Sequence, residues 1–299
     1  MDKTIAAAGI TIVGHQNSHQ QHQKPAMSGN NPNAVPVPAK GQGPNHEGNV
    51  PVTFRIVQQK GHAAASHTHA QTHATAVPAA AGDNDIRIVK PEEYKEAAAC
   101  LADAFAEDDV ARYFIDVPDR EHWSEADKWQ LHVDILEYVT YAHCLKGLVT
   151  TVGEGYGAVA LWMPPGKNMD DFMTILRSGM WRLNYRLSAE GKKRFFNEFL
   201  PLLHDTKAGV LGDRDDTSWY LVYLGTRPSA RGKGYARKLV EHVTKDADRD
   251  GLPCYLESSN PVNPAIYRKL GFEERRRIHL QRAEKNVELD IMVREPVGN

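Results

Sequence analysis

The chain has 299 residues, a formal net charge of −2 and 25% charged residues, so it can bury one sizeable core and carries no basic field for nucleic acid or a membrane surface. Its three cysteines are far apart and form no C-x-x-C pair, which argues against a disulfide framework or structural zinc and indicates a reducing compartment. Without an apolar stretch of about 18 residues or a signal-peptide core, a cytoplasmic protein is predicted, with nuclear entry left open.

Residues 1–83 differ in composition from the rest. They hold eight of the fourteen histidines and only eight charged residues, among runs of Gln, Asn, Ala, Pro and Gly. Such a segment buries too little apolar surface to offset its ordering entropy, so we predict a disordered tail before a folded domain over residues 84–296. The spacing of His67, His69 and His73 invites a metal site, but no carboxylate or cysteine lies nearby. Solvated low-complexity sequence is the preferred interpretation, and no metal is predicted.

Hydrophobic periodicity divides the folded domain into alternating elements. The first half predicts a strand, a helix, a loop, a long helix opened by Ser124 and Asp127, and a hairpin. The second half begins with an aromatic-rich helical insert over residues 169–204. It continues with a strand, a helix, a strand, a short helix and a final hairpin. The strands predicted are 86–89, 147–152, 158–163, 219–224, 252–258, 272–282 and 287–293. This order predicts an α/β (α+β) domain, with a mixed central sheet of six to seven strands and helices on both faces.

The loop after the fourth of these strands carries the most informative pattern. Residues 231–236 open directly into a helix, whose first N–H groups lack helical partners and whose dipole is positive at that end. Gly232 and Gly234 let the backbone approach a phosphate without a Cβ, and Arg231 and Lys233 add positive charge. This arrangement predicts an anion site suited to a pyrophosphate.

The loop reads R-x-x-G-x-A, through Arg231, Gly234 and Ala236, and matches neither the P-loop nor the dinucleotide fingerprint. It resembles the [QR]-x-x-G-x-[GA] motif with which the GNAT superfamily of N-acetyltransferases binds acyl-CoA. The element order also resembles that family over the whole folded domain. The resemblance implies the GNAT fold, splayed at strands four and five, with a helical insert before strand four. It also implies acetyl-CoA as cosubstrate, held by Arg231, Gly232, Lys233, Gly234, Tyr235 and Ala236, and by the strand-four backbone at Leu224, Gly225 and Thr226.

A second pattern runs from Leu256 to Phe272 and resembles the other GNAT signature, an Asn after strand five, then a Tyr, then Gly-Phe. Asn260 lies seven residues before Tyr267, where the family has a cofactor-contacting Asn. Asn263 lies four residues before Tyr267 and matches an Asn found in the branch of the family that resembles puromycin N-acetyltransferase. The Leu-Glu pair before the loop is similar to that branch as well. Both asparagines can equally be cap and turn residues.

The chemistry that the resemblance implies is attack of an amine on a thioester. The resemblance places Tyr267 as the general acid for the leaving thiolate, although its ring can also be simple packing. Strand alternation places Glu257 opposite to Cys254 and Leu256, so it can face the substrate as a general base, or hydrogen-bond a neighbouring strand. Asp215 and Asp216 are weaker candidates for the base and better explained as turn residues.

Three functions remain open. A small-molecule amine N-acetyltransferase, for an antibiotic or metabolite, is favoured because the insert and the 108–114 loop can wall a closed apolar pocket. Tyr113, Phe114, Trp181 and Glu257 are the candidate substrate contacts. A protein or peptide acetyltransferase would need an open groove. A non-catalytic CoA-binding module would not need Tyr267 or a base.

Overall fold

The computed structural model describes residues 3–7, 10–14 and 85–298. The first two segments are the strands β1 (Lys3–Ala7) and β2 (Ile10–Gly14), which pair antiparallel. The rest of the proposed N-terminal tail, including its histidine cluster, lies outside the described residues. Disorder of the tail therefore stays a prediction.

A seven-stranded sheet forms the centre of the folded domain, in the spatial order β3-β4-β5-β6-β7-β9-β8. Its strands are β3 (Arg87–Ile88), β4 (Leu148–Val152), β5 (Ala158–Met163), β6 (Trp219–Thr226), β7 (Cys254–Ser258), β8 (Glu273–Leu280) and β9 (Val287–Arg294). Neighbouring strands are antiparallel except β6 and β7, which run parallel. The predicted mixed sheet is confirmed.

Helices cover both faces of this sheet. They are α1 (Tyr94–Ala104), α2 (Asp109–Ile115), α3 (Glu125–Lys146), α4 (Phe172–Ser178), α5 (Leu183–Arg186), α6 (Ala189–Lys192), α7 (Leu200–Leu211), α8 (Tyr235–Asp250) and α9 (Asn263–Arg268). Successive residues of β6 point to opposite faces, so Tyr220 joins the core beneath α1, α3 and α7, whereas Leu221 joins the core beneath α8. The prediction of helices on both faces is confirmed.

The helical insert before β6 is present and contains a π-helical segment, Lys193–Phe199, between α6 and α7. Phe195 and Phe199 lie on this segment with their ring centres 5.0 and 4.9 Å from that of Phe114 on α2. Phe114 meets both rings edge to face, whereas Phe195 and Phe199 stack with ring centres 6.0 Å apart, and both geometries are favourable for aromatic pairs. The insert is thereby joined to α2 through an aromatic cluster.

Two local expectations differ from the structure. The first strand is shorter than predicted: β3 comprises only Arg87 and Ile88, although the Val89 N–H still donates to the Val149 carbonyl of β4 at 2.8 Å. The stretch predicted as a loop after α1 contains the helix α2, which Asp108 caps by accepting the N–H groups of Val110 and Ala111, both at 3.0 Å. A single cap satisfies two orphan donors of a helix too short to show a periodic pattern.

Candidate active site

The strands β6 and β7 separate part of the way along. Parallel pairing joins Trp219–Leu221 to Cys254–Leu256 and then stops, although β6 continues to Thr226. The register of β6 against β5 slips by one residue at Val222, a β-bulge that turns the strand away from β7. The predicted splay is confirmed, and it leaves a gap in which an extended ligand can lie beside β6 as an added strand.

A cavity, here called the splay cavity, opens at this gap. Its sheet side consists of residues 221–224 of β6, residues 256–258 of β7 and Ser259 in the loop after β7, with Asn263 and Tyr267 beside them. Its opposite side carries four aromatic side chains, from the residue after α1, from α2 and from the insert: Phe105, Phe114, Phe195 and Phe199. The helix α3 completes this side with His132, Ile135, Leu136 and Val139. The splayed strands and the helical insert therefore enclose one space.

Tyr267 lies in this cavity with a buried ring, edge to face with Phe272 at 5.8 Å between ring centres. Among the described residues, none hydrogen-bonds its hydroxyl. Burial raises the pKa of Tyr267 well above its usual value, since the phenolate would lose its solvation. The hydroxyl therefore keeps its proton near neutral pH and can donate it to a ligand in the cavity.

Glu257 lies across the cavity on β7. It lies on the face of Tyr255, opposite to Cys254 and Leu256, as strand alternation predicts. The hydroxyl of Tyr220 donates to its Oε2 at 2.7 Å, and its Oε1 is buried without a hydrogen-bond partner among the described residues.

Burial raises the pKa of Glu257 to about 7, although the hydrogen bond from Tyr220 and the charge of Lys207 act in the opposite direction. A carboxylate exchanges a proton most effectively when its pKa lies near the working pH. Glu257 therefore has the acidity of a general base at neutral pH.

The glycine loop is exposed and leads directly into α8. Gly232 and Gly234 have φ of 80° and 76°, and a Cβ built on either meets no atom within 4 Å. The positive end of the α8 dipole lies here because the helix begins at Tyr235. Among the described residues, Arg231 and Lys233 have no ion-pair partner. The loop thus offers open space and uncompensated positive charge, which suits a pyrophosphate.

Two predicted cofactor residues, Tyr235 and Gly225, are buried in the core of the domain. The ring of Tyr235 is only 3% exposed, within the core beneath α8. Gly225 faces α1 closely, and a Cβ there would lie 2.8 Å from Leu101 and 2.9 Å from Ala104. Only backbone groups of Tyr235 and Gly225 are left for a cofactor.

Of the other predicted cofactor residues, some line the splay cavity and others lie outside it. Leu224 and Asn263 line the splay cavity, whereas Thr226 lies past its end, paired with Ala158 of β5. Asn260 is exposed, and its Oδ1 accepts the Val262 N–H at 3.0 Å, which is the turn role that the sequence also allowed. The structure brings Asn263, but not Asn260, to Tyr267 and Glu257.

Of the predicted substrate contacts, Phe114 and Glu257 line the splay cavity and Tyr113 and Trp181 do not. The hydroxyl of Tyr113 donates to Glu198 and accepts the Arg282 N–H, so it ties α2 to the insert and to the β8–β9 loop. Trp181 lies at the surface, 38% exposed. Neighbouring helical residues point about 100° apart, so the sequence could not tell which aromatic of a pair faces inward.

Asp108 and Ser259 are cavity residues that the sequence did not single out as site residues. The Ser259 hydroxyl donates to Asp108 at 2.5 Å and so joins the start of α2 to the loop after β7. Burial raises the pKa of Asp108 despite this hydrogen bond and the two backbone N–H groups. The two residues are 151 positions apart, so no local sequence signal could have paired them.

Asp215 and Asp216, the weaker candidates for a base, lie outside the splay cavity. They line a second cavity, which Glu257 also lines from β7. Within the part of the chain that the structure describes, no group of three or more His, Cys, Asp or Glu side chains forms a metal-ion site. No helix in that part is long and apolar enough to cross a membrane.

A splayed mixed sheet, with a glycine loop and helix after the longer splayed strand, defines the class of acyl-CoA-dependent acetyltransferases. The model of the family described as "Acetyltransferase (GNAT) domain" matches residues 202–274. A Schizosaccharomyces pombe protein named "Uncharacterized N-acetyltransferase C550.08" is 50% identical over 208 residues, which are 70% of this chain and 82% of that protein. The chain therefore belongs to the GNAT family and is an N-acetyltransferase.

Solved structures resemble the chain at lower identity. A structure described as histone acetyltransferase HPA2 and related acetyltransferase, from Corynebacterium glutamicum, has a TM-score of 0.44 and 21% identity, covering 72% of this chain and 98% of that one. Arylalkylamine N-acetyltransferase 2 from Aedes aegypti has a TM-score of 0.46 and 18% identity, covering 71% of this chain and 99% of that one.

Proposed function

We propose that this enzyme transfers the acetyl group of acetyl-CoA to a primary amine of a small molecule by direct attack. GNAT enzymes use acetyl-CoA, and the exposed loop at Gly232 and Gly234 has the space and charge for its pyrophosphate. The observation that carries the proposal is the splay cavity, where Glu257 and Tyr267 line a single space behind an aromatic wall.

Residues of this chain would bind the cosubstrate at both ends. Arg231, Lys233 and the start of α8 hold the pyrophosphate, since anions bind at helix N-termini with basic side chains nearby. The β6 backbone near Leu224 lies beside the pantetheine at the gap left by β7. Backbone N–H groups at this point polarise the thioester carbonyl, which stabilises negative charge on its oxygen.

Two side chains would then move the protons. Glu257 takes a proton from the incoming ammonium group, which frees the nitrogen lone pair to attack the thioester carbon. As the carbon–sulfur bond breaks, Tyr267 donates its hydroxyl proton to the leaving thiolate. The hydroxyl of Tyr220 holds the Glu257 carboxylate in place, so the base stays oriented between turnovers.

The aromatic wall of the cavity favours a small acceptor. Phe105, Phe114, Phe195 and Phe199 lie opposite the splayed strands, where a protein or peptide acceptor would need an open groove. The alternative of a non-catalytic CoA-binding module leaves unexplained why both proton-transfer groups line this cavity. The resemblance to the puromycin N-acetyltransferase branch makes puromycin one acceptor to test, and a cytoplasmic location stays a prediction.

The decisive experiment measures acetyl-CoA consumption against a library of small amines, puromycin included, with peptides that bear free N-termini or lysines as competitors. We expect turnover with small amines and little with peptides. Calorimetric titration of acetyl-CoA runs in parallel. Binding without turnover of any amine would support the non-catalytic module, and turnover confined to peptides would overturn the small-molecule acceptor.

A further inference from the structure

The second cavity adjoins the splay cavity at Glu257, which lines both. Its lining comes from the end of β5, from the segment that follows β5, from α7, from the turn before β6, and from Tyr220 of β6 and Glu257 of β7. Leu203 and Glu257 line both cavities, so the two cavities adjoin at these residues. An amine at Glu257 can therefore face an acyl group in the splay cavity while the rest of its molecule occupies the second cavity.

The two cavities differ in chemistry. The splay cavity is walled mainly by aromatic and aliphatic side chains, whereas the second cavity holds four carboxylates and two lysines. Of the lysines, Lys207 is already engaged, because its ammonium donates to the carboxylate of Asp215 and to the Asp215 carbonyl oxygen. Lys167 is exposed at the rim. The second cavity thus carries more negative than positive charge.

Asp170 is one of three carboxylates of this cavity, with Asp216 and Glu257, that form no ion pair among the described residues. Its Oδ1 is buried and has no hydrogen-bond partner, and no ion pair reaches its carboxylate within the described residues. The nearby ammonium of Lys146 is bound to Asp171 instead, at 2.9 Å. A partly buried carboxylate with one oxygen that lacks a hydrogen-bond partner is destabilised, and a cationic group from a ligand would relieve that cost.

We infer that the second cavity binds the distal end of the acceptor and that Asp170 recognises a second positively charged group there. This inference rests on the proposed function and names its substrate class. The acceptor is an aliphatic diamine or longer polycation, with its reactive nitrogen at Glu257 and another ammonium group at Asp170. An acceptor with an anionic tail is disfavoured, because it would meet Asp170, Asp216 and Glu257.

The test compares acceptors of equal length that differ only in the distal group. Putrescine, cadaverine and hexamethylenediamine are each assayed against the monoamine of the same length, with δ-aminovalerate as the anionic-tail probe. In the wild type we expect a KM about tenfold lower for the best diamine than for its monoamine, the size expected of one charge-assisted contact. We expect δ-aminovalerate to be a poorer acceptor than the monoamine.

The variant Asp170→Asn keeps the side-chain shape and removes the charge. We expect it to raise the KM of the best diamine about tenfold and to leave the KM and kcat of the monoamine unchanged. The matched control is Asp205→Asn, an exposed position on α7 outside both cavities, which should change neither. Melting temperatures of both variants establish that they are folded.

Calorimetric titration of the same diamine, without acetyl-CoA, separates this inference from the proposed function. Heat of binding in the wild type that is lost in Asp170→Asn supports the cation site even if no amine is acetylated. If monoamines and diamines are acetylated equally well and Asp170→Asn affects them alike, the inference is overturned while the proposed function stands. If the wild type binds no diamine and shows no preference, the cation site is likewise overturned.

Discussion

The two walls of the splay cavity differ in composition, because one offers mainly backbone groups and the other mainly side chains. The wall assigned to the cosubstrate is β6, which offers mainly backbone groups and leads in the chain to the loop over residues 231–234 and the start of α8, outside the cavity. The opposite wall consists of side chains from the residue after α1, from α2, from α3 and from the insert, which are far apart in sequence. A backbone wall suits a cosubstrate shared by a whole family, whereas a side-chain wall can change with the acceptor. The predictions below test that division of roles.

The largest effect is expected at the glycine loop. Gly234→Asp places a carboxylate where the pyrophosphate is proposed to bind, so acetyl-CoA binding should be lost in calorimetric titration. Gly234→Asn is the matched control, because Asn has the same size, no charge and tolerates the positive φ of this position. Equal affinity of the Asp variant and wild type would refute the phosphate site.

The next effect is expected at Tyr267. Tyr267→Phe keeps the ring against Phe272 and removes only the proton donor, so kcat should fall by about 10²-fold. Affinity for acetyl-CoA should change by less than about 1 kcal/mol, because at most one hydrogen bond is lost. A fall in kcat at a nearly constant affinity for acetyl-CoA identifies an interaction that is made mainly in the transition state. Wild-type turnover in the variant would reduce Tyr267 to a packing residue.

Glu257→Gln should change the pH profile as well as the rate. Because the pKa of Glu257 is about 7, the wild type should lose kcat/KM as the pH falls through that value and the base becomes protonated. The variant should be slower by about 10²-fold at about pH 8 and should lose this part of the profile. The two rates should converge at low pH. If kcat/KM of the variant fell with decreasing pH as it does in the wild type, the general base would be another group.

A smaller effect is expected at the side-chain wall. Phe195→Leu reshapes the aromatic cluster with Phe114 and Phe199, so the KM for the acceptor should rise severalfold through lost aromatic contacts. The dissociation constant of acetyl-CoA should stay constant, since the change lies on the opposite wall. An equal change in both constants would show that the two walls do not have separate roles.

The smallest effect concerns stability. A carboxyl group whose folded pKa is raised binds its proton more tightly in the folded state, so it lowers stability as the pH rises from its ordinary value towards the raised one. For Glu257 that window runs from 4.5 to about 7. Glu257→Gln should therefore remove a decline of a few degrees in Tm across this window. The same decline in wild type and variant would indicate that Glu257 does not titrate in this way.

The parts of the site that are formed by residues close together in the sequence could be predicted from it. The loop at Gly232 and Gly234 was recognisable because a phosphate site of this kind needs glycines, positive charge and a helix start within a few residues. The orientation of Glu257 followed from strand alternation alone. The puromycin-like branch and the acceptor remained proposals, because they depend on the wall that the insert builds.

The sequence by itself therefore determined the family, the order of strands and helices, and the cosubstrate loop, since each rests on local periodicity or a short spacing. Only the tertiary structure decided that Phe114 rather than Tyr113 faces the cavity and that Asp108 meets Ser259. It also decided that Glu257 stands between an aromatic cavity and an acidic one. Such placements depend on how distant segments pack, and burial then sets the acidity of Glu257 and Tyr267 through the loss of solvent.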